Sequence, residues 1–460
     1  MLFKKNEEEL RMELGEGVNL DRPEEVIDLS VRDSDRKGHF WCFGTTRVGK
    51  TRLLENIIEQ DIRKGYSVVA IDPKGDIDLF SKITQIALDT GRIEELILVT
   101  PIFPEFSAVL NPLSSHYMPE ELAAHITAGV SVGREPFFAD LAREVALYIV
   151  LSILLLAKNA GQRPRLNLQD IKDKIGHKDL KELKAKIDHL INSGVDEAIR
   201  SEAKQLSSDL DRTLATTADN YNKVSSSLRI ALTELTTGSI GKIIGKADEN
   251  KFISRLEEGK GVIMVVQLGS LLTDRAAYTA GKVIISMLKS FVGRRYASGK
   301  KLSRPLTLHM DEAQSVLYLG IEELFAKAGG ADLYIHGYSQ SISQLHDTVG
   351  EFKASVILDN CNTKIFMRVP DILTAEYISK HLGEKKVFSP MISLGGGCTI
   401  RETEELRIKP SDVLNLTSRQ FFMTTYAGTY RGYSRDVKDA VVEVVFPDLT
   451  TTAPETVTNA

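Results

Sequence analysis

Cysteine is scarce: the 460 residues hold three, Cys42, Cys361 and Cys398. They lie far apart without metal-ligand spacing, which excludes a zinc module and fits buried thiols in a reduced, cytosolic compartment. Long apolar runs are missing too. The most apolar stretch, Val145 to Ala157 (VALYIVLSILLLA), has 13 residues. That is short of the roughly 20 needed to cross a bilayer, so it reads as a buried core helix. No secretory signal opens the chain, because Met1 to Leu10 is polar and charged. Nor is there an excess of positive charge. The net charge of −5 gives no global basic signature of a nucleic-acid binder, although a motor can confine its positive charge to a pore. What remains, 42% hydrophobic and 26% charged residues, describes a soluble globular protein. Its length calls for two or three domains.

Periodicity divides the chain. Residues 1–38 are charged, with little pattern beyond a short strand around Val26 to Val31, and read as a lead-in segment. His39 to Phe43 is an apolar run ending on Gly44, and a helical pattern follows from Lys50 to about Lys64. Further β-rich runs are Ser67 to Ile71 and Leu96 to Thr100. Residues 114–250 carry no strand signal, and their apolar and charged residues recur at helical spacing. Strand runs resume at Gly261 to Gln267, Leu306 to Asp311, Leu333 to His336, Thr363 to Val369 and Phe421 to Tyr426. Strands alternating with helices predict a parallel sheet covered on both faces. The expectation is one α/β domain, residues 39–113 and 251–447, interrupted by an all-α insertion at 114–250. The polar tail 448–460 reads as disordered.

Gly44-Thr45-Thr46-Arg47-Val48-Gly49-Lys50-Thr51 is a complete GxxxxGK[ST] loop between an apolar run and a helix. Its glycines let backbone N–H groups turn inward around the phosphates of ATP. Lys50 would reach the β- and γ-phosphates, and the Thr51 hydroxyl would ligate Mg²⁺. Leu306 to Glu312 is a mostly apolar strand ending in two acids. Asp311 would join the Mg²⁺ shell, and Glu312 would polarise the attacking water as general base. A second acid of this kind points to ATP hydrolysis rather than a kinase, whose glycine-rich and catalytic loops are missing. Gln340 follows the run Leu333 to His336. In a parallel sheet it is expected beside the acids, within reach of the γ-phosphate or the water.

The ordered set of motifs resembles one family. Asp72-Pro73-Lys74-Gly75-Asp76, Leu110-Asn111-Pro112-Leu113, Met310-Asp311-Glu312-Ala313 and Gln340-Ser341-Ile342-Ser343-Gln344-Leu345 look like the type IV coupling proteins of bacterial conjugation. These are the TraD- and TraG-like ATPases of the FtsK–HerA group. Within the helical region, Pro136-Phe137-Phe138 with Ala142-Arg143, and Ser225-Ser226-Ser227-Leu228, resemble the family's all-α domain; Asn360 to Ile365 resembles a further segment. The resemblance covers about residues 39 to 430. It implies a RecA-like motor domain, homo-hexamers encircling DNA, and a basic finger reaching the γ-phosphate from a neighbouring subunit. Two departures stand out. Between Glu312 and Gln340 the only basic residue is Lys327, so Arg368, with Lys364, is the alternative finger. Family members commonly begin with transmembrane helices, whereas this chain reaches its loop at residue 44. Either it docks on a separate membrane-anchor protein at the inner face of the cell membrane, or its anchor has been removed.

DNA contacts in a translocating ring come from Lys and Arg. Gly293 to Lys301 (GRRYASGKK) is the densest basic stretch after the first 40 residues, and complementing a helix C-terminus is its competing role. No base-reading motif is visible, so sequence-independent contact is expected. The leading reading is a DNA-translocating ATPase that couples a relaxase–DNA complex to type IV secretion channel proteins. A protein-export or assembly ATPase of the same superfamily is the alternative, and DNA-stimulated turnover separates the two. A third reading, an adaptor switched by ATP binding, is disfavoured by Glu312. The resemblance gives a hexamer; a monomer in dilute solution is compatible with assembly on DNA or a partner.

Overall fold

The computed structural model describes residues 10–130, 137–215, 217–392 and 398–449. Pro136 and tail residues 450–460 therefore lie outside the described residues. The strands are β1 (Arg11–Asn19), β2 (Arg22–Arg32), β3 (Phe40–Phe43), β4 (Ser67–Asp72), β5 (Leu96–Val99), β6 (Ile263–Gln267), β7 (Leu306–Met310), β8 (Leu333–Ser339), β9 (Thr363–Phe366), β10 (Glu384–Ile392), β11 (Cys398–Leu406), β12 (Gln420–Thr425) and β13 (Gly428–Ser434). Eleven of them form one sheet in the order β2-β1-β13-β12-β9-β3-β8-β7-β4-β6-β5. From β9 to β5 every neighbouring pair is parallel. β12 joins β9 antiparallel and opens an antiparallel flank. β10 and β11 make a separate hairpin.

The central strands are apolar along their length because both faces are covered. All residues of β3, β4, β6, β7 and β8 are buried. Successive side chains point to opposite faces, and the core divides accordingly. Val68, Ala70, Ile263 and Val265 pack with Leu53, Ile57 and Ile83 from the helices Lys50–Arg63 and Ile77–Asp89. Val69, Ile71, Met264 and Val266 join the opposite core, which runs on into the helical region through Ile126, Val145 and Ile149.

Between β5 and β6 the described residues are helical apart from turns and one isolated bridge. The apolar run at 145–157 lies inside the helix Phe137–Asn159, with Val145, Ala146, Ile149 and Val150 fully buried. No helix among the described residues is long and apolar enough to cross a membrane. The Leu110–Leu113 motif ties the two ends of this region together. Leu110 bridges Asn250. The Asn111 side chain donates to Leu166 O at 2.8 Å and accepts from Leu113 N–H, while the Asn250 amide donates to Asn111 O at 3.0 Å.

The lead-in reading of residues 1–38 needs correction over its described part. Residues 11–32 form the β1–β2 hairpin, and β1 pairs with β13, so this segment extends the main sheet. Its alternation escapes detection because Met12 and Leu14 are buried among charged residues while β2 is largely exposed at the sheet edge. Close strand approach also depends on glycine. A Cβ on Gly15 would sit 2.0 Å from Tyr433 O, and one on Gly17 would sit 2.2 Å from Arg431 O.

Candidate active site

The carboxyl ends of the parallel strands make one edge of the sheet, where α/β folds bind their ligands. β3 leads into the loop 44–49, which its two neighbours brace. Gly44 N–H donates to Ser339 O at the end of β8 at 3.1 Å, and Thr45 N–H donates to Arg368 O after β9 at 2.8 Å. Gly49 caps the helix Lys50–Arg63 at φ 105°, a backbone region that glycine adopts without steric cost. The N-terminal N–H groups of that helix therefore face the cleft, a geometry that favours anions. Lys50 Nζ donates to the loop carbonyls of Gly44 and Thr45, the latter at 2.9 Å. Burial lowers its pKa, partly offset by Cys42 and Asp311. A largely buried cation on neutral carbonyls is well placed to exchange them for phosphate oxygens.

Asp311 follows β7. Its N–H donates to Ile71 O at 3.0 Å, continuing the ladder with β4, and its carboxylate accepts the Glu312 N–H at 3.0 Å. Burial raises the pKa of Asp311, with Lys74 and Lys50 opposing. A partly buried carboxylate in a cleft with Thr51 is a donor set suited to a hard divalent cation. Glu312 is left-handed, φ 43° and ψ 51°, a conformation costing a non-glycine residue about 1–2 kcal/mol. Its Oε1 meets Lys74 Nζ at 2.8 Å and accepts from Gln340 Nε2 at 3.4 Å. β8 lies between β3 and β7, which is why Gln340 comes beside the acid. The cleft measures about 440 Å³ and includes Thr45, Lys50, Thr51, Lys74, Asp311 and Glu312 in its lining. A larger cleft of about 870 Å³ at the root of the helical region, lined by Asn111, Arg163 and Glu257 among others, has no comparable constellation.

The finger candidates separate. Arg368 is exposed, and its backbone carbonyl braces the loop of its own subunit. Lys364 is buried, with its Nζ donating to Cys361 O at 2.6 Å, so it is not presented at the surface where a neighbouring subunit would meet it. Lys327 pairs with Glu323 on the surface. It ends the helix Glu322–Lys327 shortly before β8 begins, at the sheet edge opposite the cleft. The basic stretch 293–301 also lies at that opposite edge. Arg294 is engaged by Glu121 and Glu257 at 2.5 and 3.0 Å, and Lys301 lies 3.4 Å from Asp332. Arg295 sits over the Phe291 ring at 5.4 Å. Binding within the chain therefore occupies Arg294, and helix-end packing accounts for much of the stretch.

Among the cleft residues without a role in the sequence reading are Lys74 and Arg419. Lys74 stands in a motif that the sequence displays, but its function depends on which strand lies beside β4. Arg419 has no sequence signal. Its N–H donates to Val48 O at 2.8 Å. Its guanidinium donates to Ser434 O at 2.7 Å, pairs with Asp436 at 3.2 Å and lies 4.7 Å from the Tyr433 ring centroid.

Residues 305–408 match the family described as the TraM recognition site of TraD and TraG. No curated protein matches the chain. Among solved structures, the unbound bacterial conjugative coupling protein TrwBdeltaN70 superposes with TM-score 0.65 at 18% identity, over 93% of this chain and 89% of that one. TrwB in complex with ADP and Mg²⁺ gives TM-score 0.61 at 19% identity, over 89% and 88%. VirB4 of Thermoanaerobacter pseudethanolicus gives 0.52 at 11% identity, over 94% and 98%. The chain thus has the α/β fold of the coupling protein TrwB, and its residues 305–408 match the TraD/TraG family model, as its motifs led one to expect.

Proposed function

We propose that this chain, with the fold of a conjugative coupling protein and a TraD/TraG recognition region, is an ATP-driven DNA translocase that links a relaxase–DNA complex to a type IV secretion channel. The observation that carries the reading is the meeting of Lys50, Asp311, Glu312 and Gln340 at one edge of that fold. Relatives of the same fold are known with ADP and Mg²⁺ and with a non-hydrolysable ATP analogue, which supports a nucleotide in the corresponding cleft here. Lys50 leaves the carbonyls of Gly44 and Thr45 to meet the β- and γ-phosphates. Thr51 and Asp311 are the residues that would hold Mg²⁺, which when bound neutralises phosphate charge. Glu312 takes the proton of the attacking water, and Gln340 orients that water. Arg368, exposed and next to the loop, is our choice for the finger across a hexamer interface.

The TraM-recognition match supports a relaxosomal partner for residues 305–408. A protein-export or assembly ATPase of the same superfamily that does not move DNA is the second reading. DNA binding tests the choice. Binding to unrelated single- and double-stranded oligonucleotides is expected to vary little with sequence and to fall by at least about 10-fold between 50 and 200 mM salt, as phosphate contacts require. Binding that resists salt, or no binding to either form, would overturn the DNA assignment.

A further inference from the structure

The Asp72–Asp76 motif places a lysine in the cleft that the reaction scheme above leaves unused. Asp72 ends β4, next to the strand that delivers Asp311 and Glu312. Its buried carboxylate accepts the Lys74 N–H at 2.9 Å and the Asp76 N–H, folding residues 72–76 into a tight turn with Gly75 at φ 83°. The turn is pinned from the other side. Leu268 N–H donates to Asp72 O at 3.0 Å, Ser270 N–H to Pro73 O at 2.8 Å, and Gln267 Nε2 to Asp76 O at 2.9 Å. A loop held this firmly projects the half-exposed Lys74 side chain over the sheet edge to Glu312, where Nζ and Oε1 meet at 2.8 Å. Gln340 Nε2 approaches the same oxygen at 3.4 Å.

We infer that Lys74 is a positioning residue for hydrolysis: with Gln340 it holds one oxygen of Glu312 so that the other is presented to the attacking water. This rests on the assignment of Glu312 as general base. Three features favour it. The ion pair joins neighbouring strands whose geometry the sheet fixes. Glu312 is already committed to a left-handed backbone, which restricts where its carboxylate can point. Both contacts converge on Oε1. Surface ion pairs contribute little to stability, so the expected consequence lies in geometry rather than folding.

The test compares wild type, Lys74→Ala and Lys74→Arg in steady-state ATP hydrolysis, with ADP affinity measured separately by calorimetry. Misplacing a catalytic group by about 1 Å costs roughly 100-fold. Lys74→Ala should therefore lose between about 10- and 100-fold in kcat, with KM and ADP affinity within about twofold of wild type. Lys74→Arg should recover a substantial part of the loss, because it restores a cation to the carboxylate. A kcat unchanged or raised in Lys74→Ala would overturn the inference while leaving the hydrolysis reading intact. So would a loss of ADP affinity in parallel with kcat, or an Arg variant as impaired as the Ala variant. If wild type itself shows no turnover, the hydrolysis reading fails, and this inference fails with it.

Discussion

Replacing Glu312 by Gln should cut ATP turnover by at least about 100-fold while leaving ATP affinity within about threefold, since a positioned general base contributes about 10²–10⁴ in rate. The substitution keeps the size of the side chain and an acceptor oxygen for Gln340. It removes the charge that pairs with Lys74 and that would take the proton. The phosphate-facing parts of the cleft, the loop 44–49 and the start of its helix, belong to other elements braced by Ser339 and Arg368, so binding should survive. Turnover and equilibrium ATP binding are measured on the same preparation. Turnover within about threefold of wild type would remove Glu312 from the mechanism. Loss of binding in parallel would mean that Glu312 acts on the nucleotide rather than on water.

The second large effect lies beneath the site. Arg36 forms a two-pronged pair with Asp61, Nη1 to Oδ1 at 2.6 Å and Nη2 to Oδ2 at 2.7 Å, with both side chains out of solvent. Asp33 adds a contact at 3.3 Å, and Arg36 Nη2 also reaches His336 Nε2 at 3.3 Å. Burial alone would raise the Asp61 pKa, but Arg36 and then His309 hold it well below the carboxylate range. The cluster ties the segment after the β1–β2 hairpin to the helix that follows the phosphate loop and to β7 and β8. Asp61→Ala leaves a buried guanidinium short of its main partner and should cost about 3–5 kcal/mol. The double change Arg36→Met with Asp61→Leu should cost less than either single change, because no unpaired charge remains. Trp41 is the only tryptophan and is buried on β3, so its fluorescence during urea unfolding reports this region directly. A shift equivalent to under about 1 kcal/mol for Asp61→Ala would contradict the argument.

Buried histidines give the fold a pH dependence. Burial pushes His39 down to about 4 and His125 to about 3, and His336 is lowered well below its ordinary value, chiefly by burial. The unfolded chain takes up protons at these positions below about pH 6.5, whereas the folded chain does not. Stability should therefore fall as pH drops from about 6.5 toward 4, by up to about 1.4 kcal/mol per pH unit for each histidine. A urea midpoint that is flat between pH 7 and 5 would contradict neutral burial of these rings.

Sequence made some of this legible and hid the rest for physical reasons. β3, β4, β6 and β7 are continuous apolar runs because both faces of the sheet are covered, and the phosphate loop and the Asp311–Glu312 pair sit where such runs end. The pairing of Lys74 with Glu312 could not be read, since it depends on β4 lying beside β7, and a sheet order is a tertiary fact. The left-handed turn at Glu312 and the approach of Arg419 to Val48 are likewise set by surroundings. Lys364 misled because a lysine in a strand usually points to water. Here β9 lies between β3 and β12, and the ammonium is turned back onto Cys361 O. Of the β1–β2 hairpin only the short strand at Val26 to Val31 was legible; β1 was missed because Met12 and Leu14 are buried between charged residues and its two glycines press against β13.

The central claim, that this cleft hydrolyses ATP in the service of moving DNA, is tested most directly by steady-state ATP turnover with and without single- and double-stranded DNA, with Lys50→Ala as the blank. Turnover stimulated by DNA, weakened by salt and abolished by Lys50→Ala is the predicted result. Turnover indifferent to both DNA forms, or persisting in Lys50→Ala, would contradict it.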